Sequence, residues 1–162
     1  MYDTLFLDRD GVINHKLEAR YITNFNEFEF IQDSDIAIRK LSKIFKRIFI
    51  ITNQQGIGKG IMSENDLNSI HRIMQNQLSS ENKYIEKIYY CPHLERDLCN
   101  CRKPKTGMLE QAKKDFPEIN IKYSFLVGDS NRDIQAGNKF GLQTVKVDSN
   151  YTLYHWLQEI SL

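Results

Sequence analysis

Two aspartates, Asp8 and Asp10, follow a short apolar run from Thr4 to Leu7, and Gly11 comes directly after them. Carboxylates this close repel unless something positive stands between them, and a hard divalent cation such as Mg²⁺ takes oxygen ligands. The plainer alternative has both acids flanking a surface turn. Further along, Thr52 follows a second apolar run, Arg102, Lys103 and Lys105 cluster after a third, and Asp129 with Asp133 follows a fourth. Acids, a hydroxyl and fixed cations are the set that phosphoryl transfer requires: a metal, a nucleophile and neutralisation around the moving phosphate. No single piece is specific; their order at the ends of successive apolar runs is.

A second group could bind a different metal. Cys91-Pro92-His93 and Cys99-Asn100-Cys101 contain all three cysteines of the chain. Three thiolates and one imidazole complete a tetrahedral Zn²⁺ shell with no open position, which makes such a site structural. A redox cysteine pair or unrelated buried thiols are the alternatives. Arg102 and Lys103 come immediately after the last ligand, so a bound ion would fix the backbone that aims both cations.

Alternating strands and helices must position these groups. Thr4–Leu7, Ile48–Ile51, Ile85–Tyr90, Ser124–Val127 and Leu142–Val147 read as strands, the first, second and fourth without a polar face, as in a parallel sheet buried on both faces. Between them, helices are expected from Asp33-Ser34, with Ala37, Leu41, Ile44 and Phe45 on one face, and from Ser63, with Leu67, Ile70, Met74 and Leu78 inward. His71 on the latter is expected at the surface or half-buried. Further helices start at Thr106-Gly107, at Ser130 (ending near Gly141) and at Leu153, with Trp156 packed down. Gly56-Ile57-Gly58-Lys59-Gly60 reads as a loop and lacks the spacing of a P-loop. The fold class is therefore α/β, a doubly wound parallel sheet in one domain over residues 1–162. In such sheets ligands bind beyond the carboxyl ends of the strands, where the acids lie.

Asp8-Arg9-Asp10-Gly11-Val12, Ile51-Thr52-Asn53-Gln54, Cys101-Arg102-Lys103-Pro104 and Val127-Gly128-Asp129-Ser130 resemble the four motifs of the haloacid dehalogenase (HAD) superfamily of phosphatases. More narrowly, the chain resembles the branch that holds heptose-bisphosphate and histidinol-phosphate phosphatases. The resemblance runs from about Leu5 to Val147. It implies that Asp8 is the nucleophile and that Asp10 is the acid and base. It also implies Mg²⁺ on the Asp8 carboxylate, the Asp10 carbonyl and the Asp129 carboxylate. Thr52, Arg102 and Lys103 would hold phosphoryl oxygens, and Asn53, Gln54 and Gln55 would touch substrate. Related phosphatases carry the Cys-x-His…Cys-x-Cys loop as a zinc site, here Cys91, His93, Cys99 and Cys101. Asp133 stays open between a capping box with Ser130 and a role beside the metal's waters or Lys103. Elements already assigned fill the gaps where such phosphatases insert a cap, so the chain reads as capless, with an open site.

The substrate expectation is a heptose bisphosphate, with histidinol phosphate second. Gln55 to Gly60 and Thr106-Gly107-Met108 are similar to the heptose enzymes, whereas the short stretch 94–98 is similar to the histidinol-phosphate branch. A phospho-accepting signalling module, from a different class, is third; Asp10 so near the nucleophile favours turnover over a persistent phospho-form. The loops 15–21, 56–60 and 94–98 are expected to select substrate, with Lys16, Arg20 and Lys59 as candidates for a second phosphate or as solvated charges. Composition agrees: 41% hydrophobic, 27% charged and a net charge of +1 give no bulk reason for nucleic acid or an anionic membrane. No basic-then-apolar leader or membrane-length apolar run is seen, and three cysteines, an odd number within eleven residues of one another, speak against a disulfide framework. The expectation is a monomer in the cytoplasm acting on a small phosphorylated molecule.

Overall fold

The computed structural model describes all 162 residues. Strands β1 (Tyr2–Leu7), β2 (Phe45–Asn53), β3 (Lys87–Cys91), β4 (Phe125–Gly128) and β5 (Gln143–Lys146) form one sheet in the order β3-β2-β1-β4-β5. Every neighbouring pair is parallel. Helices α1 (Ser34–Leu41), α2 (Gln55–Gly58), α3 (Glu64–Leu78), α4 (Gly107–Asp115), α5 (Asn131–Phe140) and α6 (Leu153–Ile160) complete the chain.

Side chains alternate across a strand, and here each face of the sheet has its own core. Leu5, Leu7, Ile48, Ile50 and Val127 pack with Ala37, Ile38 and Leu41 of α1, Leu67, Ile70 and Met74 of α3, and Trp156 of α6. Phe6, Phe49, Ile51 and Leu126 pack with Met108, Leu109 and Ala112 of α4 and Ala136 of α5. The sheet is doubly wound, as its unbroken apolar central strands require. From β1 the chain winds outward through β2 and β3, then returns to β4 and β5 on the other side. The strand order therefore reverses between β1 and β4, and a crevice opens at their carboxyl ends. No domain is inserted between β1 and β2 or between β2 and β3. No helix is long and apolar enough to cross a membrane.

Several boundaries differ from the sequence expectation. The first helix stops at Leu41, and Phe45 opens β2 rather than extending a helical face. Ser42 Oγ donates to the Arg39 carbonyl at 2.8 Å and Lys43 N–H to the Lys40 carbonyl at 3.0 Å, closing the helix in a tight turn. Ile85 lies before β3 yet is fully buried, so its apolar character reflects the core rather than the ladder. The glycine-rich segment contains one helical turn, α2, and Leu142 and Val147 fall just outside β5.

Candidate active site

Asp8 leaves the end of β1 at the point of strand reversal; its N–H donates to the Val127 carbonyl of β4 at 3.0 Å. Asp129 follows β4 directly, and oxygens of Asp8, Asp129 and Asp133 lie within 4.8 Å of one another. Two glycines make this approach possible. A Cβ on Gly11, whose φ is +87°, would stand 2.2 Å from Asp129 Oδ2, and one on Gly128 would stand 2.2 Å from Asp133 Cβ.

Lys103 holds the acids together. Its Nζ donates to Asp8 Oδ1 at 2.9 Å, Asp133 Oδ1 at 2.6 Å and the Ile51 carbonyl at 2.8 Å. Burial disfavours the ammonium, but Asp8 and Asp133 outweigh it and raise its pKa above the ordinary lysine value. Burial likewise opposes ionisation of Asp133, yet Lys103 and the Ser130 hydroxyl and N–H hold it below the usual carboxylate range. Asp133 therefore serves both readings: its Oδ2 closes the capping box of α5 on Ser130, and its Oδ1 faces Lys103.

Asp8 is the exception. Burial pushes its carboxyl up to about 8; Lys103 works against that shift, while Asp133, Asp129 and Asp10 add to it. Lys103 thus does not offset the burial of Asp8 and the acids around it. Asp129 Oδ1 is buried without a hydrogen-bond partner, while its Oδ2 pairs with Lys16 Nζ at 2.5 Å. No backbone N–H donates to the Asp10 carbonyl. An orphaned carboxylate oxygen, a free carbonyl and an underneutralised aspartate are the donor set of a hard divalent cation, and these residues fit one.

Asp10 is held quite differently. Arg9 Nη2 and Nε donate to its Oδ1 at 2.8 and 3.3 Å, Asn14 Nδ2 to the same oxygen at 2.9 Å, and Gln54 Nε2 to its Oδ2 at 2.9 Å. Burial opposes its charge, but Arg9 first, then Asn14 and Gln54, bring its pKa below the ordinary value.

The remaining expected residues fall in two groups. Gln54, Gln55, Asn53, Arg102 and Lys103 line a cavity of about 280 Å³ together with Asp8, Asp10 and Asp129. Within it the Asn53 amide is taken up by Lys103: its Oδ1 accepts from the Lys103 N–H at 3.0 Å and its Nδ2 donates to the Lys103 carbonyl at 3.2 Å. Gln55 Nε2 donates to the Tyr21 hydroxyl at 2.9 Å. Thr52 lies beneath the cavity rather than on its wall, fully buried, with its Oγ1 accepting from Gln54 Nε2 at 2.9 Å.

Of the selecting loops, 15–21 supplies Lys16, Leu17, Arg20 and Tyr21 to the wall; 56–60 and 94–98 supply none. Lys59 instead lies over the Tyr21 ring, 5.3 Å from its centroid. The sequence alone gives no role to Arg132, Arg9 or Asn14. Arg132 is exposed on the first turn of α5 and lines the cavity. A basic residue there, beside the acids after β4, was the available signal. His71 is buried, not superficial, and its Nε2 lies 3.1 Å from Arg9 Nη1.

Cys91 Sγ, His93 Nδ1, Cys99 Sγ and Cys101 Sγ lie mutually within 4.8 Å. The Cys91–Cys101 separation of 2.7 Å is too long for a disulfide, and all three cysteines are free. Four soft and borderline donors gathered around one point fit a tetrahedral zinc ion.

Known proteins agree with this geometry. The family model described as HAD-hydrolase-like matches residues 100–161. A D-glycero-alpha-D-manno-heptose-1,7-bisphosphate 7-phosphatase of Mycobacterium bovis is 40% identical over 134 residues, 83% of this chain and 70% of the relative. A D-glycero-beta-D-manno-heptose-1,7-bisphosphate 7-phosphatase of Haemophilus influenzae is 36% identical over 143 residues, 85% of this chain and 76% of the relative. The crystal structure of a D,D-heptose 1,7-bisphosphate phosphatase from B. bronchiseptica, complexed with magnesium and phosphate, is similar with a TM-score of 0.87 at 27% identity, over 98% of both chains. The chain is a HAD-superfamily phosphatase, a phosphoric monoester hydrolase, and belongs to the family of the heptose-bisphosphate phosphatases.

Proposed function

We propose that this protein hydrolyses D-glycero-D-manno-heptose 1,7-bisphosphate at the 7-phosphate through an aspartyl-phosphate on Asp8. The observation that carries the reading is the meeting of Asp8, Lys103 and Asp129 at the β1–β4 crevice, in a cavity also lined by Lys16, Arg20, Arg102 and Arg132. A substrate with two phosphates suits a wall with that many cations.

In this reading a carboxylate oxygen of Asp8 attacks phosphorus, and the leaving alcohol oxygen takes a proton from Asp10. Asp10 starts ionised; a phosphate dianion arriving beside it raises its proton affinity, so it takes a proton from solvent on substrate binding and enters the first step as an acid. Water then attacks the aspartyl-phosphate, gives its proton to Asp10, and leaves inorganic phosphate and free Asp8. Lys103 and Arg102 hold phosphoryl oxygens, with Asn53 fixing the Lys103 backbone from below. Thr52 acts through Gln54 or by its own hydroxyl from the floor of the site. The Asp8 carboxylate, the Asp10 carbonyl and the Asp129 carboxylate would hold Mg²⁺, which when bound neutralises charge between Asp8 and the phosphate. Cys91, His93, Cys99 and Cys101 would hold a structural Zn²⁺ that stiffens the approach to Arg102 and Lys103.

Residues 1–162 act as one capless domain and as a monomer, in a cytoplasm that keeps the three cysteines reduced. The test is kcat/KM measured side by side for both heptose bisphosphate anomers, histidinol phosphate and an aryl phosphate. One heptose bisphosphate anomer is expected to give the highest value. A value for histidinol phosphate that equals or exceeds it would overturn the substrate assignment.

A further inference from the structure

Arg9 stands between the two site aspartates in sequence and is fully buried. A buried guanidinium needs its donors satisfied, because each unpaired one costs the full desolvation of that group. Two of its donors go to Asp10 Oδ1, at 2.8 and 3.3 Å. The opposite terminal nitrogen, Nη1, lies 3.1 Å from His71 Nε2, and the Phe28 ring lies 6.0 Å from the guanidinium carbon. An arginine cannot accept a hydrogen bond, so His71 must be neutral there, with Nε2 accepting and the ring proton on Nδ1. Burial, then the adjacent Arg9, push the His71 pKa down to about 3, in keeping with that state.

His71 sits on α3 at a position facing the core, among Leu67, Ile70 and Met74. An apolar residue would serve packing equally well, and no apolar residue could accept from Nη1. We infer that His71 is a positioning residue: through Arg9 it fixes the carboxylate of Asp10, so that the oxygen shared with Gln54 stays aimed into the cavity. The chain of contacts runs from the middle of α3, through a single side chain, to the group assigned as acid and base. The inference rests on that assignment. A loss of aim by about 1 Å at such a group can cost on the order of 10²-fold in rate.

Two substitutions of similar polarity separate positioning from packing. His71→Gln places an amide oxygen near the site of Nε2 and can still accept from Arg9; His71→Asn places its amide near Nδ1 and cannot reach. His71→Asn is expected to lower kcat by roughly ten- to a hundredfold with KM changed less than about threefold, and His71→Gln to restore most of the loss. The Arg9 side-chain Nε–H resonance should remain sharp and slowly exchanging in His71→Gln and broaden in His71→Asn. An aryl phosphate serves as substrate beside the sugar phosphate, so the result does not depend on which sugar is natural. Asp10→Asn is run in parallel: if it keeps full rate, the acid–base assignment is wrong and this inference goes with it. If Asp10→Asn is slow while His71→Asn matches wild type, or while His71→Gln and His71→Asn are equally impaired, the positioning role alone is refuted.

Discussion

At the scale of single residues, Asp8 and Asp10 are chemically identical groups placed in opposite environments. Asp10 faces an arginine and two amides; Asp8 faces two more acids and one shared lysine. The first stays ionised without help, and the second needs a further cation. Replacing Asp10 by Asn is expected to lower the hydrolysis rate by on the order of 10² to 10⁴, the usual worth of a positioned acid–base group. Steady-state assays on purified, folded variant check it, and an unchanged rate would remove Asp10 from the mechanism. For Asp8, burial raises the metal-free carboxyl well above the ordinary carboxylate range, so Mg²⁺ bound there as proposed would displace a proton. Mg²⁺ affinity is therefore expected to rise with pH. Titration calorimetry at pH 6.5 in two buffers of different ionisation enthalpy should show a proton released; identical heats would contradict the assigned state of Asp8.

At the scale of elements, the segment between β3 and α4 contains only a short 3-10 turn, Glu95–Asp97, and no other helix or strand. It nevertheless has to place Lys103 within hydrogen-bond distance of two acids. Its order comes from the Asn53 clamp, from Lys105 Nζ on the Cys99 carbonyl at 2.5 Å, and from the Cys–His cluster. With so few apolar contacts, a loop of this kind is held largely by whatever its thiolates bind. Cys99→Ser, or treatment with a zinc chelator, is expected to release zinc, to raise hydrogen exchange across residues 91–105 and to lower kcat. Elemental analysis, exchange mass spectrometry and assays read these separately. Full activity in protein that contains no zinc would rule out the structural role.

At the scale of the molecule, the two cores meet the site through β1, β2 and β4, so groups behind the sheet contribute to stability as well as to aim. His71 is the clearest case, because its pKa in the folded chain lies at about 3 against an ordinary value of 6.5. Between those values the unfolded chain binds the proton and the folded one does not, so falling pH favours unfolding. Stability from this residue is fully present above about pH 6.5 and is lost as pH drops below it. Asp3, Asp10 and Asp133, whose folded pKa values are depressed, add losses of the same sign at still lower pH, below the ordinary carboxylate range. Wild type is therefore expected to lose thermal stability relative to His71→Gln as pH is lowered from 6.5 to 4.5. The difference in Tm between the two, measured at each pH, isolates this residue; a constant difference would mean that His71 is protonated in the fold.

Much of this arrangement was legible in the chain before any coordinates. Leu5 to Leu7 and Ile48 to Ile51 announce buried parallel strands because the middle of a sheet covered on both faces favours apolar residues at every position. Asp8, Asp10 and Asp129 announce a site because they follow directly on strands of that kind, and Lys103 because it closes the cysteine segment that follows β3. Helix limits such as Leu41 were less visible, since Ile44 and Phe45 continue an apolar pattern that a turn interrupts. The deeper roles of Arg9, His71 and Asn53 belong to the tertiary structure. Each is polar, with nothing in its neighbours to say which way it points, and its meaning depends on a partner 62 or 50 residues away. Periodicity is local and reports burial; hydrogen bonds between distant side chains are set only when the sheet closes and brings α3 beneath β1 and the cysteine loop beside β2. The sheet, its strand ends and the acids beyond them were written in local apolar runs, whereas closure of the sheet set Asp10 among hydrogen-bond donors and Asp8 among other acids.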